Sequence, residues 1–194
     1  MTDDTRKTAG GQKVKRVTPA YLDRAALHYL ERFASSAANL RRVLLRRVDA
    51  SARAHGTDPA EGREWVEALI TRYQSSGLLN DTLYAEMKAS GLQRRGGSTR
   101  TIRQKLLARG LAEEQVTAAL SGLEGSQDGQ ADLMAAIAYA RRRRLGAFRP
   151  DRDGTGTARE DRRNKDVAAM ARAGFDLETA RRVIDADDPE GLAP

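Results

Sequence analysis

Residues 98–111 read STRTIRQKLLARGL, and this stretch decides which fold class the sequence predicts. Ser98 is of a type that caps helix N-termini. Ile102 and Leu106 recur at helical spacing, and Gly110 is a typical residue at a helix end. The stretch therefore predicts one short amphipathic helix with a signal at each end.

The same arrangement occurs in three units along the chain. Their middle helices align on the runs LLRR at 44–47, LLAR at 106–109 and MARA at 170–173. In the second and third units a glycine and an apolar residue follow, as Gly110-Leu111 and Gly174-Phe175. Repetition at roughly 50 to 60 residues indicates stacked three-helix units.

Further helix signals flank these stretches. Thr18-Pro19 and Asp58-Pro59 each supply a cap and a first-turn proline, while Asn80-Asp81 and Asp176 can begin later helices. No segment shows the sustained apolar and polar alternation of a strand. We therefore predict an all-α fold of tandem three-helix repeats that form an elongated, curved array.

The predicted boundaries follow from these signals. The first unit has Arg47-Val48-Asp49 where a glycine stop would end the helix, so its middle helix is expected to continue into Ala54. The predicted segments are a disordered basic tail at 1–17, repeats at 18–79, 80–124 and 125–188, a polar insertion near 149–164 within the third repeat, and a tail at 189–194.

Composition limits the function. The 194 residues include 34 Lys and Arg against 27 Asp and Glu, a net charge of +7 that favours acidic partners. The absence of cysteine excludes disulfides and thiolate zinc sites. The N-terminal residues lack the apolar core of a signal peptide, and no apolar run is long enough to span a membrane. We expect a cytoplasmic protein with no membrane association.

The residue types of catalysis do not form a recognisable motif. His28 and His55 lack metal-ligand spacing, and no glycine-rich turn matches a phosphate-binding loop or a dinucleotide-binding fingerprint. We therefore expect no enzymatic activity, no cofactor and no metal.

Arginine is the more informative residue type. An arginine can bind a carboxylate or a phosphate through two hydrogen bonds, so clusters of arginine suit an acidic protein surface or a nucleic-acid backbone. The alternative is that they are solvated helix faces with scattered salt bridges. The candidate residues for binding a partner are Arg41, Arg42, Arg46 and Arg47; Arg94, Arg95, Arg100, Arg103 and Lys105, with Arg109 close by; and Arg141, Arg142, Arg143 and Arg144.

The aromatic residues favour a particular mode of DNA binding. They fall mainly on the apolar stripes of the predicted helices, which assigns them to the core and leaves no platform for base stacking. Any direct DNA binding is thus expected to be electrostatic and tolerant of sequence. The residues concerned are Tyr29, Phe33, Trp65, Tyr73, Tyr84 and Tyr139.

Taken in order, several runs resemble those of the RecX family. They are AALHYLERFASSAANLRRVLLRRV at 25–48, GLLNDTLYA at 77–85, RRGGSTRTIRQKLLARGL at 94–111, RRRRLGAF at 141–148 and RAGF at 172–175. Each run alone indicates only a helix and its end, whereas the ordered set is specific. The resemblance covers about residues 20 to 186.

The resemblance implies a protein of tandem three-helix repeats that binds RecA and acts in DNA recombination, repair and the SOS response. Members of the family are understood to lie in the groove of the RecA–DNA filament and to limit its ATPase, strand-exchange and coprotease activities, and some also bind DNA. The motif residues of the family are mostly fold positions, so the resemblance designates no catalytic residue.

Two functional hypotheses remain. The first is a regulator, monomeric when free, that binds RecA or the RecA–DNA filament and modulates it, inhibition being the expected direction. The alternative is a general basic DNA-binding or architectural protein without specificity for the filament. Strong and steeply salt-dependent binding to DNA without a partner would favour the alternative.

Overall fold

The computed structural model describes residues 14–123, 130–150 and 156–192. Every regular element in these three ranges is helical, which confirms the all-α prediction for them. Two 3-10 turns, Gly146–Phe148 and Glu190–Leu192, accompany the α-helices. In chain order the α-helices are α1 (Pro19–Arg32), α2 (Ala37–His55), α3 (Pro59–Ser75), α4 (Asp81–Gln93), α5 (Thr99–Leu107), α6 (Glu113–Ser121), α7 (Ala131–Arg143), α8 (Thr157–Arg172) and α9 (Leu177–Ile184).

The predicted helix starts are confirmed by capping hydrogen bonds. The side chains of Thr18, Asp58, Asn80, Ser98 and Asp176 each accept a bond from a main-chain N–H in the first turn that follows. Such bonds satisfy donors that a helix cannot satisfy internally. The predicted continuation of the middle helix in the first unit is also confirmed, because α2 runs to His55.

The described residues divide into two compact units. The first unit contains residues 14–34 and 39–79. Gly62 of α3 lets α2 approach closely, because a Cβ atom at this position would lie 2.5 Å from Cγ1 of Val48. Burial of large apolar side chains is the main stabilising contribution to such a core. Its buried residues are Val17, Leu22, Ala26, Leu40, Leu44, Val48, Val66, Leu69, Ile70, Tyr73 and Leu79.

The second unit contains residues 35–38, 80–123, 130–150 and 156–192, and it holds two helix triplets. In the first triplet, α4, α5 and α6 pack around Ile102, Leu106 and Val116. In the second, α7, α8 and α9 pack around Met170 and Val183. Helix α7 also contacts α4, so the two triplets are in direct contact within this unit.

Side chains of one triplet recognise the main chain of the other. The hydroxyl of Ser98 lies 2.9 Å from the carbonyl oxygen of Ala173, at the end of α8. The carboxylate of Asp132, in the first turn of α7, accepts the N–H of Thr99 at 2.6 Å and its hydroxyl at 3.0 Å. These polar contacts position the end of α4 and the start of α5 against the last three helices.

Leu83 and Met87 do not lie on the buried face of α4. They are 51% and 52% exposed, whereas Tyr84, Ala85 and Ala89 are buried. Small alanine side chains allow α4 to pack closely with its neighbours, so the buried face is offset from the line of the largest apolar residues.

The assignment of the aromatic residues to the core is wrong for Phe33, which is 51% exposed. Phe33 is the C-cap of α1, where the backbone has already become extended, so its ring leaves the buried helix face. Tyr73 and Tyr84 are buried as predicted, while Tyr29 and Tyr139 are only partly buried. Trp65 is also only partly buried.

The predicted polar insertion near 149–164 is wrong in its second half, because helix α8 already begins at Thr157. Residues 151–155 of that insertion lie outside the described residues. Arg149 binds Asp166 of α8, which lies 17 residues later in the sequence. Helical periodicity cannot predict a pairing over this distance.

The described residues of both predicted tails form contacts or turns that the prediction did not include. Residues 1–13 and 193–194 lie outside the described residues. Val17 is buried and its N–H donates to Oγ of Ser51 at 3.0 Å, so ordered structure begins before the predicted boundary at residue 17. At the other end, Glu190–Leu192 forms a 3-10 turn.

Candidate functional site

The first arginine cluster, on α2, is only partly available to a partner. Arg41 forms a bidentate ion pair with Glu67, with Nε–Oε1 and Nη2–Oε2 distances of 2.7 and 2.9 Å. Arg47 donates to the hydroxyl of Tyr21 at 2.8 Å. Arg42 and Arg46 are exposed, and neither forms an ion pair with another described residue. The cluster therefore divides into two residues that contact other side chains and two that form no ion pair with a described residue.

The second cluster divides in the same way. Arg103 forms an ion pair with Glu113, and Arg109 donates to the hydroxyl of Tyr84 at 2.7 Å. The side chains of Arg94, Arg95, Arg100 and Lys105 are exposed and form no ion pair within the described ranges. These four residues lie at the end of α4 and along α5.

The third cluster ends α7. Arg141 forms an ion pair with Glu190 at 2.5 Å, and Arg142 donates to the main-chain carbonyl of Arg95. Arg144 ends the helix in the left-handed conformation, with φ of 54°. Arg143 and Arg144 are exposed and have no ion-pair partner in the part of the chain that the structure describes.

The structure brings parts of the second and third clusters together. Gly96 makes this possible, because a Cβ atom there would lie 2.5 Å from the main-chain nitrogen of Tyr139, and its φ is +75°. The loop after α4 therefore lies directly against α7, and Arg142 stacks over the Tyr139 ring with a distance of 5.7 Å to the centroid. We refer to Arg94, Arg95 and Arg142 as the basic cluster.

The positive charge of the basic cluster has no carboxylate partner among the described residues. No carboxylate of a described residue lies within 4.0 Å of any of its three guanidinium groups. Arg142 is held in place by the carbonyl of Arg95 and by the Tyr139 ring, so part of the cluster is already ordered. Ordered guanidinium groups lose little freedom when they bind a carboxylate or a phosphate. The arrangement therefore suits an anionic group of a partner.

A buried ion pair that sequence reasoning missed lies elsewhere in the second unit. Arg149 binds Asp166 through Nε–Oδ2 and Nη2–Oδ1 contacts of 3.0 and 2.5 Å, and the N–H of Gly146 donates to the same carboxylate at 3.0 Å. The hydrogen bond to Asp166 raises the pKa of Arg149. No spacing rule connects residues 149 and 166, so no sequence signal could have found this pair.

A cleft of about 720 Å³ adjoins that ion pair. Arg163, on its wall, binds Asp185 at 2.5 and 2.6 Å, and this hydrogen bond raises the pKa of Arg163. Arg149 and Arg163 are thus both neutralised by carboxylates. The cleft does not present a concentrated positive charge to an anionic ligand.

Tyr73 and His55 of the first unit form contacts within the fold. Tyr73 donates to Oδ1 of Asp23 at 2.7 Å, and burial together with this bond raises the pKa of Tyr73 to about 12. Nε2 of His55 lies 2.8 Å from the carbonyl oxygen of Val14. His28 is exposed near Glu31. The contacts of Tyr73 and His55 link neighbouring segments of the unit.

No group of three or more His, Cys, Asp or Glu side chains in the described ranges could hold a metal ion. None of the helices described is both long enough and apolar enough to cross a membrane.

The sequence is similar to that of two curated regulatory proteins. It is 45% identical over 186 residues to the regulatory protein RecX of Myxococcus xanthus, covering 95% of each chain. It is 32% identical over 163 residues to the regulatory protein RecX of Agrobacterium fabrum, covering 82% of this chain and 79% of the relative. No solved structure matches the chain significantly.

A family model described as the second three-helix domain of RecX matches residues 80–120. This range coincides closely with α4, α5 and α6, and it supports the predicted repeat architecture. Because the identity to a curated relative reaches 45% across nearly the whole chain, the chain belongs to the RecX family of regulatory proteins.

Proposed function

We propose that this chain regulates homologous recombination by binding RecA, or the RecA–DNA filament, and inhibiting its activity. Membership of the RecX family supports a regulatory role. The basic cluster supports binding through charge, because its arginines lie where the loop after α4 packs against α7, and none of them pairs with a carboxylate of a described residue. Regulation then proceeds by occupancy, without a chemical step carried out by this protein.

The physical basis of the proposal is complementarity between arginines and acidic groups on the filament. Bidentate arginine–carboxylate or arginine–phosphate contacts fix both distance and orientation. Arg94 and Arg95 directly follow α4 and Arg142 comes from α7, so two successive repeats contribute to one surface. A surface of this kind can contact adjacent subunits or the DNA that they hold.

The experiment that tests the proposal is the ATPase rate of RecA on single-stranded DNA during titration with the full chain. DNA is kept in excess and the salt concentration is fixed. The expected result is dose-dependent inhibition at or below one chain per RecA subunit. An unchanged ATPase rate, with a chain that circular dichroism shows to be helical, would contradict the proposal.

The second candidate function is sequence-independent DNA binding without specificity for the filament. Its supporting observation is that Arg42, Arg46 and Arg100 are exposed and lack ion-pair partners among the described residues. Fluorescence anisotropy with bare single-stranded DNA at several salt concentrations separates the two. Binding to bare DNA that is as tight as binding to the filament, and falls steeply with salt, favours this second function.

A further inference from the structure

An exposed apolar stripe on α4 is not explained by the fold. Leu83 and Met87 lie four residues apart, on the same side of the helix, and half of each side chain is exposed. Single exposed apolar residues are common on protein surfaces. Two large ones on adjacent turns form a small contiguous apolar patch, and contiguous patches are more informative than single exposed residues.

The buried face of α4 is complete without these two residues. Tyr84, Ala85 and Ala89 are at most 2% exposed and form the contacts of this helix with the hydrophobic core. The hydroxyl of Tyr84 is satisfied by Arg109. The fold therefore gains little from the apolar character of Leu83 and Met87.

Gly91 continues the stripe toward the C-terminal end of α4 and adds no side chain to it. On a helix of 3.6 residues per turn, positions 83, 87, 91 and 94 follow one side of the surface. Gly91 lies within α4, and its φ is not in the left-handed range that would require a glycine. A Cβ atom at this position would approach no atom more closely than 4.0 Å, where it would meet Nη2 of Arg95. Packing within the described chain does not explain this glycine, whereas the close approach of a partner does.

The stripe ends at the basic cluster. Arg94 follows Met87 by seven residues, which places it roughly 10 Å further along the helix axis. Glu86 is exposed on α4, while beyond Gly91 the chain continues into the exposed Arg94 and Arg95, and the main-chain carbonyl of Arg95 binds Arg142. The exposed side of α4 thus changes from apolar to strongly basic along its length.

We infer that Leu83, Met87, Gly91 and Arg94 form a docking surface for an amphipathic protein segment. The segment carries apolar side chains on adjacent helical turns and a carboxylate about two turns further along. A carboxylate complements the basic cluster, and the apolar half favours a protein over a nucleic-acid backbone, because phosphates gain nothing from Leu83 and Met87. This inference rests on the proposed function, in which RecA bears the segment.

The experiment measures co-sedimentation of the full chain with RecA filaments assembled on single-stranded DNA. Leu83→Ser combined with Met87→Ser removes the apolar half, and Gly91→Gln obstructs the stripe while improving helix propensity. Leu177→Ser is the matched control, because Leu177 of α9 is also 50% exposed. We expect the double variant and Gly91→Gln each to weaken filament binding by roughly tenfold or more, which corresponds to about 1.4 kcal/mol.

The same variants should bind bare single-stranded DNA like the wild type, and Leu177→Ser should bind filaments like the wild type. Wild-type affinity of both stripe variants for the filament would overturn the inference while leaving the proposed function intact. An equal loss of affinity for bare DNA would also overturn it, because the stripe would then contact nucleic acid. So would sedimentation of the wild type as a dimer and of the double variant as a monomer. A wild-type chain that fails to bind filaments overturns the proposed function itself.

Discussion

Ser98 and Ala173 lie 75 residues apart in sequence, and the hydroxyl of Ser98 is 2.9 Å from the carbonyl oxygen of Ala173. The second unit contains an equivalent contact between Ser36 and the carbonyl oxygen of Arg109, at 2.7 Å. In both cases the serine immediately precedes a helix and the carbonyl immediately precedes a glycine with positive φ. The repeated sequence pattern thus has a repeated hydrogen bond as its structural counterpart.

Asp132 and Asp81 form a second pair of equivalent contacts. Asp132 accepts the N–H of Thr99 at 2.6 Å, and Asp81 accepts the N–H of Ala37 at 2.8 Å. Each aspartate lies in the first turn of its own helix and satisfies a donor at the start of another helix. Residues 35–38 and 81 belong to the same unit, as do residues 99 and 132.

The hydroxyls of Ser98 and Thr101 share the carbonyl of Ala173, so loss of either hydroxyl alone should have a limited cost. The hydroxyl of Thr101 also donates to the carbonyl of Ala173, at 2.8 Å, so Ser98→Ala should cost only about 1 kcal/mol of unfolding free energy. Thr101→Val should cost a similar amount. The double variant should lose more than the sum of the two, because the carbonyl then has no donor. Urea unfolding measures all three values, and additive losses would show that the hydroxyls act independently.

Replacement of Gly174 by alanine should destabilise the protein more than replacement of Gly77. Both residues have positive φ, of +94° and +76°, so each variant incurs a backbone strain of roughly 1–2 kcal/mol. An added Cβ at Gly174 would also lie 2.6 Å from Oγ of Ser98, whereas nothing lies within 4 Å at Gly77. This crowding should add roughly 1–3 kcal/mol.

Thermal unfolding of the Gly174→Ala and Gly77→Ala variants compares the two costs directly. Equal decreases in melting temperature would mean that the turn at Gly174 can move away from Ser98, and that the contact does not constrain the second unit.

The helix ends were predictable from sequence because their signals are local. Thr18, Asn80 and Asp176 each bond to a main-chain N–H three residues later, so one short stretch contains both the cap and its target. The same reasoning explains Gly110 and Gly174, which end helices with positive φ.

The exposed apolar residues and the buried ion pair were not predictable, because both depend on distant parts of the chain. Periodicity places Leu83 and Met87 on an apolar stripe, but the packing of α5 and α6 determines which side of α4 is buried. Asp166 is buried because Arg149 and the N–H of Gly146 meet its charge. The pairing of Arg142 with the carbonyl of Arg95 likewise depends on the close approach at Gly96.

The cap at Asp176 should make stability depend on pH. The N–H and hydroxyl of Thr179 bond to this carboxylate at 2.7 Å each, and the main-chain bond in particular lowers the pKa of Asp176 below its usual value of 3.8. The stabilisation is therefore fully present above the usual value and is lost as the pH falls through the lowered pKa.

We expect Asp176→Ala to cost about 1 kcal/mol of unfolding free energy at neutral pH and less below about pH 4. Asp176→Asn is the control, since an asparagine caps a helix without a charge and should retain most of the stabilisation. Chemical denaturation at several pH values measures these differences. A cost of Asp176→Ala that does not change with pH would show that the charge makes no contribution.

The ion pair between Arg149 and Asp166 should contribute more to stability than the exposed pair between Arg41 and Glu67. The side chain of Asp166 is only 5% exposed, so Arg149→Leu leaves a buried carboxylate without its cation and should cost about 3 kcal/mol. Arg41→Leu should cost at most about 1 kcal/mol, because its pair is in contact with solvent. Adding Asp166→Leu to Arg149→Leu should restore part of the loss. Equal costs for the two arginine variants, measured by urea unfolding, would contradict the assigned role of burial.

The position of the arginines should matter more for binding than the net charge of the chain. Arg94→Glu combined with Arg95→Glu reverses two members of the basic cluster, while the main-chain carbonyl of Arg95 remains available to Arg142. Like-charge contacts with an acidic partner are strongly unfavourable. We therefore expect the concentration that half-inhibits the RecA ATPase to rise by about tenfold or more.

Arg24→Glu combined with Arg53→Glu is the matched control, because it changes the net charge equally at exposed positions of α1 and α2. The control should inhibit RecA almost like the wild type if binding depends on the local arrangement of arginines. If both variants lose inhibition equally, net charge alone governs binding. That outcome would favour the general DNA-binding function, because a nonspecific electrostatic interaction does not distinguish one exposed arginine from another.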